Sequence, residues 1–158
     1  MPNKRKRKAK IENSLLETTV ESEIFIGALS FSDQTLAEVH ELLSIWGMTP
    51  LQYNAMRVIY AKDKEDIGLP SKEIGSRLYT RVPDVTRLLD RMVDKGWITR
   101  ERDTVNKRVV RSRLTDIGIE LVESAHAPLM ELESKQLAHL SNDEKNTLFE
   151  LLNKALDK

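Results

Sequence analysis

Two arginines stand on the polar side of an amphipathic stretch, VPDVTRLLDRMVDKGW at residues 82–97. Steps of three and four between its aliphatic residues predict a helix that leaves Arg87 exposed, with Arg91 at its flank. The planar fork of an arginine can donate two hydrogen bonds to O6 and N7 of guanine, and a helix about 10–12 Å across fits a major groove about 12 Å wide. The stretch therefore predicts base recognition in duplex DNA. Its aliphatic face consists of Val85, Leu88, Leu89 and Met92.

The exposed side of this helix offers further base contacts. Asp84 can accept a hydrogen bond from N4 of cytosine, and Pro83 or Thr86 can touch a thymine methyl group. An alternative for Arg87 is a surface ion pair with Asp84 or Asp90, which is worth only a few tenths of a kcal/mol. The elements around the helix favour the DNA interpretation. The predicted base-contacting residues are Pro83, Asp84, Thr86, Arg87 and Arg91.

Those elements predict a winged helix-turn-helix. A short helix opens at Pro70 and Ser71 and ends near Leu78, and the turn YTRV leads into the helix of residues 82–95. Gly96 is suited to end that helix, and WITRER and VVRSRL predict two strands around the loop DTVNKR. The second helix is thus followed directly by a basic β-hairpin.

Basic and hydroxyl side chains on the hairpin and the first helix predict contacts to the DNA backbone. Lys107 and Arg108 lie at the predicted hairpin tip, where a phosphate or the narrow minor groove is the natural target. The N-terminus of the short helix favours anions. Arg111 lies further down the strand with Arg113, and a solvated surface position is the alternative for both. The predicted backbone-contacting residues are Ser71, Lys72, Thr80, Arg81, Lys107, Arg108 and Arg111.

The segments on both sides of this motif predict amphipathic helices. Capping boxes mark two of them, Thr49 with Gln52 and Ser141 with Glu144. The terminal apolar stripes exceed what a small winged helix needs for its own core, so we expect them to contact a partner. Three predicted helices cover 12–29, 33–46 and 50–61. A long helix capped by Thr115 runs through Leu132, either straight or bent at Pro128, and a last helix capped by Ser141 runs through Ala155.

Positive charge is concentrated in two parts of a chain whose net charge is zero. Residues 1–10 contain six Lys and Arg and no acid, and residues 71–113 contain twelve Lys and Arg against six Asp and Glu. A basic segment that lies between two acidic segments, 11–70 and 114–158, is typical of a module that binds a polyanion. Two interpretations of residues 1–10 remain open, a disordered solvated tail and a nonspecific DNA-binding arm.

Composition excludes several classes of protein. The chain has no cysteine, so disulfides, thiolate catalysis and cysteine-ligated zinc are excluded. No apolar run is long enough for a membrane span or follows the basic start as a signal peptide would, so we expect a cytoplasmic protein without membrane contact. Glu123 and His126 form one Glu-x-x-His, but a di-iron bundle needs two such pairs. We expect no enzymatic activity, cofactor or metal.

The stretches VTRLLDRMVDKGWITRERD and NKRVVRSRLTDIG resemble the MarR family of bacterial transcription regulators. The family's wing pattern is Asp-x-Arg, three residues, an aliphatic, one residue, Leu-Thr and a nearby Gly. Asn106 stands where the Asp is usual, Ser112 where the aliphatic is usual, and Gly75 where alanine is commoner. The positions that match the wing pattern are Arg108, Leu114, Thr115 and Gly118.

The resemblance implies a mainly α-helical fold with a small β-hairpin wing, in which a winged helix-turn-helix is combined with helical dimerisation regions. It also implies a homodimer that binds double-stranded DNA at a pseudopalindrome, with two reading helices about one DNA turn apart, and that acts as a repressor released by a small ligand. The alternative is a winged helix that contacts proteins and does not bind DNA specifically. The predicted regions are a basic tail at 1–10, dimerisation helices at 11–46, the DNA-binding domain at 47–115 and dimerisation helices at 116–158.

Many relatives, by the same resemblance, bind small aromatic or phenolic anions between the dimerisation helices and the winged helix. The residues of this chain that are placed suitably for such an effector are His40, Trp46, Tyr53 and Arg57. Core packing at a helix junction is the alternative for Trp46 and Tyr53.

Overall fold

The computed structural model of the protein describes residues 18–156, which form mainly helices and one small sheet. The chain divides into two compact units, 1–37 and 38–158, with the boundary inside the first helix. The predicted basic tail at 1–10 and the start of the predicted helix at 12 lie outside the described residues. The elements are α1 (Val20–Ser44), α2 (Pro50–Lys62), β1 (Leu69–Pro70), α3 (Ser71–Ser76), α4 (Val85–Asp94), β2 (Ile98–Arg102), β3 (Val110–Leu114), α5 (Asp116–Gln136) and α6 (Asn142–Ala155).

One helix, α1, covers the region where we predicted two helices separated at residues 30–32. That predicted break is wrong. The sequence between Leu29 and Asp33 contains neither proline nor glycine, so nothing there interrupts the backbone hydrogen bonds of a helix. The Thr35 hydroxyl donates to the Phe31 carbonyl at 2.7 Å, a bond that a regular helix accommodates.

The predicted capping boxes are confirmed. Thr49 accepts a hydrogen bond from the Gln52 backbone at 3.2 Å, and the Gln52 side chain accepts one from the Thr49 backbone at 3.0 Å. The same reciprocal pair joins Ser141 and Glu144 ahead of α6. These bonds satisfy amide groups that the first turn of a helix leaves without partners.

The helices α3 and α4 form the predicted helix-turn-helix, and the inner face of α4 anchors it in the core of the second unit. Leu89 and Met92 are fully buried beside Ile74 of α3. The end of α4 is fixed by Gly96, which has a φ of +71°. Trp97 donates its amide to the Met92 carbonyl at 3.0 Å, and Gly96 donates to the Val93 carbonyl at 2.8 Å, which is the Schellman arrangement.

The hairpin of β2 and β3 is confirmed, and a third strand joins it. The sheet has the order β1-β3-β2 and is antiparallel throughout, with Leu69 opposite Ser112 and Ile98 opposite Leu114. We did not predict β1, because a strand of two residues has no period that a sequence pattern can reveal. The pairing with β1 attaches the hairpin to the segment directly before α3.

Thr115 caps the long helix α5, as predicted, and Pro128 lies within the helix. The Thr115 side chain accepts from the Gly118 amide at 3.1 Å and donates to the Gly96 carbonyl at 2.7 Å. These bonds join the start of α5 to the end of α4. No helix in the described part of the chain is long and apolar enough to cross a membrane.

Candidate nucleic-acid interface

The outward face of α4 carries the predicted base-contacting side chains. The helix begins later than we predicted, because Asp84 is its N-cap and Pro83 precedes the cap. The Asp84 carboxylate accepts a hydrogen bond from the Arg87 backbone amide at 2.9 Å. Thr86, Arg87 and Arg91 are exposed. Asp84 therefore fixes the start of the helix. One of its carboxylate oxygens already accepts a hydrogen bond, so fewer acceptor positions remain for contact with a base.

The guanidinium of Arg87 forms no hydrogen bond or ion pair with any residue of 18–156. The surface ion pair that we considered as its alternative is absent. Asp84 caps the helix through the Arg87 backbone, and Asp90 is paired with Arg100. The side chain is thus exposed, fixed at its backbone and available to a ligand.

Arg100 is a residue of the site that the sequence reasoning missed. From β2 it donates to the Asp90 carboxylate of α4 and, at 3.3 Å, to the Ser71 hydroxyl at the start of α3. One side chain therefore ties the wing to both helices of the helix-turn-helix. The contacts span 10 and 29 residues of sequence, so no local pattern could have indicated them. A basic residue on a predicted strand was the only available signal.

The wing loop is organised by a carboxylate that we did not single out. Asp103 accepts from the amides of Val105 at 2.9 Å and Asn106 at 2.8 Å and forms an ion pair with Arg111. Arg111 also donates to the Gly68 carbonyl at 2.9 Å. The wing thus has an Asp–Arg ion pair even though Asn106 occupies the position where the family pattern has its Asp.

Asn106 itself contributes to the same loop in a different way. Its side-chain oxygen accepts from the Arg108 amide at 3.2 Å, and its carbonyl accepts from the Val109 amide at 2.8 Å. These bonds shape the tip while Lys107 and Arg108 stay exposed. Arg111 is held inside the wing, in contrast to the two exposed side chains at the tip.

Three hydrogen bonds to its carboxylate lower the pKa of Asp103 to about 2, with the Asn106 amide the largest cause, followed by the Arg111 side chain and the Val105 amide. Because the folded pKa lies below the unfolded value of about 3.9, the stabilisation is complete above the unfolded pKa and is lost as pH falls through about 2. We expect the Asn106 amide resonance to titrate with a midpoint below about pH 3. The Asp103→Asn variant should lack that titration, and a midpoint near 4 would contradict the hydrogen-bonded loop.

A shallow cleft of about 400 Å³ brings together most of the residues predicted around the start of α4. It lies where the N-terminus of α3 faces the turn before α4, so a phosphate placed there would meet cationic and hydroxyl groups together. Thr80 is exposed but does not line the cleft, and Arg91, Lys107 and Arg108 lie elsewhere on the surface. The predicted residues that line the cleft are Ser71, Lys72, Arg81, Pro83, Asp84 and Thr86.

A second cavity, of about 850 Å³, lies between α2, the segment after α3 and α5. Of the predicted effector residues only Arg57 lines it. His40 is exposed, Trp46 packs against the core, and Tyr53 is 4% exposed with a hydroxyl that has no partner among the described residues. The cavity residues that the sequence reasoning missed include Lys62, Arg77, Tyr79 and His126, together with Tyr60, whose hydroxyl donates to Glu123 at 2.8 Å. That bond raises the pKa of Tyr60.

Comparison with known proteins gives matches to regulators of transcription. The family model described as MarR family matches residues 48–110. An uncharacterised HTH-type transcriptional regulator of Bacillus subtilis, YkoM, is 31% identical over 110 residues, which are 69% of this chain and 68% of that protein. Curated proteins named multiple antibiotic resistance protein MarR are matched over 51% of their length.

Solved structures match over more of the chain. A MarR transcription factor from Planctomyces limnophilus has a TM-score of 0.65 and 31% identity, covering 87% of this chain and 97% of that one. A mutant MarR from Escherichia coli, solved in complex with operator DNA, has a TM-score of 0.75 and 28% identity, covering 88% and 99%.

Proposed function

The chain belongs to the MarR family of transcriptional regulators, and from that premise we propose that it binds a pseudopalindromic operator as a homodimer through α4 and the wing. The observation that carries the proposal is the state of Arg87, whose guanidinium is exposed and unpaired within residues 18–156 on a helix that is capped at both ends. A side chain that reads a base must be fixed at its backbone and free at its tip. The proposed base contacts are Thr86, Arg87 and Arg91, with Pro83 and Asp84 beside them.

Two further observations support the proposal. Arg100 connects β2 to Asp90 on the outer side of α4, so the wing adjoins the reading helix. The cleft beside α4 gathers Ser71, Lys72 and Arg81, which are suited to backbone phosphates. We assign Lys107 and Arg108 at the tip to phosphate or minor-groove contacts, and we assign Arg111 to holding the wing in shape.

A selection from random duplex DNA tests the proposal. We expect the full chain to enrich an inverted repeat whose half-sites are about one DNA turn, or 10–10.5 base pairs, apart. Such a repeat would establish sequence preference and two-fold symmetry together. Binding of every duplex with equal affinity, or retention of none at low salt, would overturn the proposal and favour a winged helix that contacts proteins.

Apolar surface on the terminal helices supports the homodimer. On α6 the exposed fractions are 67% for Phe149, 59% for Leu151 and 46% for Leu152, and no helix in the described residues is long and apolar enough to cross a membrane. The first unit exposes an equally apolar set on α1. A second copy of the chain can cover exposed apolar surface of this kind on either unit. The exposed set on α1 includes Val20, Ile24, Phe25, Ile26 and Leu29.

The Leu152→Ala variant measures this contribution. It removes three carbons from a side chain that is 46% exposed in the single chain, and symmetry doubles the loss, so we expect the dimer dissociation constant to rise about 10- to 30-fold. Sedimentation equilibrium gives the constant directly. Glu150→Ala, at an exposed polar position of the same helix, is the matched control and should leave the constant unchanged. An unaltered constant for Leu152→Ala would remove α6 from the dimer interface.

We further propose that DNA binding represses transcription and that a small aromatic carboxylate in the 850 Å³ cavity releases it. Arg57, Lys62 and Arg77 supply positive charge, while Val58 and Leu78 supply an apolar wall. We expect benzoate to weaken operator binding and neutral benzamide to leave it unchanged. Arg57→Met should bind operator normally and lose most of the response to benzoate. An equal response in both proteins would place the effector elsewhere.

A further inference from the structure

Arg87 has two acidic neighbours on its own helix segment, and each of them interacts with a group other than the Arg87 guanidinium. Asp84, three residues before it, accepts the Arg87 backbone amide. Asp90, three residues after it, is paired with Arg100. Side chains three residues apart on a helix lie within reach of each other, so the Asp90 carboxylate can pair with the Arg87 guanidinium when Arg100 does not hold it.

The pairing of Asp90 with Arg100 is set by the fold and does not depend on DNA. The Arg100 side chain is only 14% exposed, whereas that of Asp90 is 58% exposed. Nε of Arg100 is buried without a hydrogen-bond partner among the described residues, while its two terminal nitrogens contact Asp90 and Ser71. The guanidinium is therefore enclosed, with both terminal nitrogens bonded, and Asp90 is the more exposed partner of the pair.

We infer that Arg100 is a specificity-determining residue that acts through Asp90, because it keeps this carboxylate away from Arg87 and so leaves Arg87 free to grip a base. The inference depends on the proposed function, in which Arg87 reads the operator. Arg100 itself is a positioning residue and contacts no base. Its loss would release a carboxylate beside the reading side chain, where the carboxylate would compete with guanine for the same hydrogen-bond donors.

Four variants test this inference: Arg100→Gln, Asp90→Asn, the double variant Arg100→Gln with Asp90→Asn, and the double variant Arg100→Gln with Asp94→Asn. The probes are the enriched inverted repeat and its single-base variants, measured in competition. The readout is the ratio of affinities for the repeat and its variants, because removing a carboxylate near DNA raises affinity for every sequence alike. Asp94 is exposed and lies on the same helix, so its change controls for charge alone.

We expect Arg100→Gln to lower the ratio by about twofold for each reading helix, the value of one exposed helical ion pair, and about fourfold for a two-fold symmetric complex. Asp90→Asn alone should lower it less, since its neutral amide does not capture Arg87. Adding Asp90→Asn to Arg100→Gln should restore the ratio to that of Asp90→Asn. Adding Asp94→Asn to Arg100→Gln should leave the affinity ratio at the value of Arg100→Gln alone.

Two results would overturn the inference. If Asp90→Asn and Arg100→Gln reduce the ratio equally and the double variant shows no recovery, the pair only holds the fold together. If Arg100→Gln leaves the ratio unchanged, Arg87 does not need protection from Asp90. Arg87→Ala separates these outcomes from failure of the proposed function, because an Arg87→Ala protein with unchanged sequence preference would show that Arg87 reads nothing.

Discussion

Replacement of Arg87 by alanine should remove discrimination at one base pair in each half-site. A bidentate contact from arginine to guanine is worth about 1–3 kcal/mol of discrimination, and a dimer makes two such contacts, so the affinity ratio at that position should fall by about 30-fold to about 10⁴-fold. The reason is the geometry of the side chain, whose backbone amide is fixed by Asp84 and whose guanidinium is unpaired within residues 18–156. Competition titrations with every single-base variant of the selected repeat measure the effect.

Arg108→Ala is the matched control for this prediction. Arg108 lies exposed at the wing tip, so its replacement should weaken binding to all sequences alike and lower the slope of log affinity against log salt by about one unit for each phosphate that the side chain neutralises. If the Arg87→Ala protein ranks the affinities of all operator variants in the same order and ratio as the wild type, Arg87 does not contact a base.

Of the single substitutions considered for this protein, Gly118→Ala should lower the free energy of unfolding most. A Cβ atom at Gly118 would lie 2.1 Å from the Trp97 carbonyl oxygen and 3.1 Å from the Leu114 side chain. That carbonyl cannot move freely, because it accepts from the backbone amide and the hydroxyl of Thr115, both at 3.1 Å. We expect overpacking to cost about 1–3 kcal/mol and loss of the cap about 0.5–2 kcal/mol, so the free energy of unfolding should be lower by about 1.5–5 kcal/mol.

Urea denaturation followed by circular dichroism measures this loss. Gly27→Ala is the control, since a Cβ atom at Gly27 meets no atom within 4 Å in the described residues apart from its own helix backbone and chain neighbours, and alanine favours a helix. The urea concentration at the unfolding midpoint of Gly27→Ala should equal or exceed that of the wild type. A Gly118→Ala protein as stable as the wild type would show that α5 can move away from Trp97 without cost.

The elements that could be predicted from the sequence are those fixed by local bonds. The caps at Thr49 and Ser141 and the Schellman end at Gly96 each join residues at most five apart, so a short motif contains all of the interaction. The buried face of α4 was predicted for the same reason, because helical periodicity alone places Leu89 and Met92 on one side.

The features that were missed depend on contacts between residues far apart in sequence or, in the case of α1, on the absence of a residue that breaks a helix. The break in α1 was predicted because the helical spacing of apolar residues is interrupted after Leu29. A helix nevertheless continues wherever no residue interrupts its backbone hydrogen bonds. The strand β1 exists only because β3 lies beside it, with Pro70 opposite Arg111. Arg100 and the cavity residue Tyr60 acquire their roles from partners 10 and 63 residues away. The base and phosphate contacts themselves stay predictions.

Site-directed cleavage of DNA would show whether α4 and the wing face the duplex. The experiment is feasible because the chain has no cysteine, so single introduced cysteines can be labelled without background. Thr86→Cys, Lys107→Cys and Ser124→Cys, each carrying an iron–EDTA cleavage reagent, place the reagent on the outer face of α4, at the wing tip and on α5. We expect cleavage inside each half-site from position 86, cleavage at its flank from position 107, and none from position 124. Cleavage from 124 alone, or equal cleavage along the whole duplex from 86, would contradict a DNA-binding surface formed by α4 and the wing.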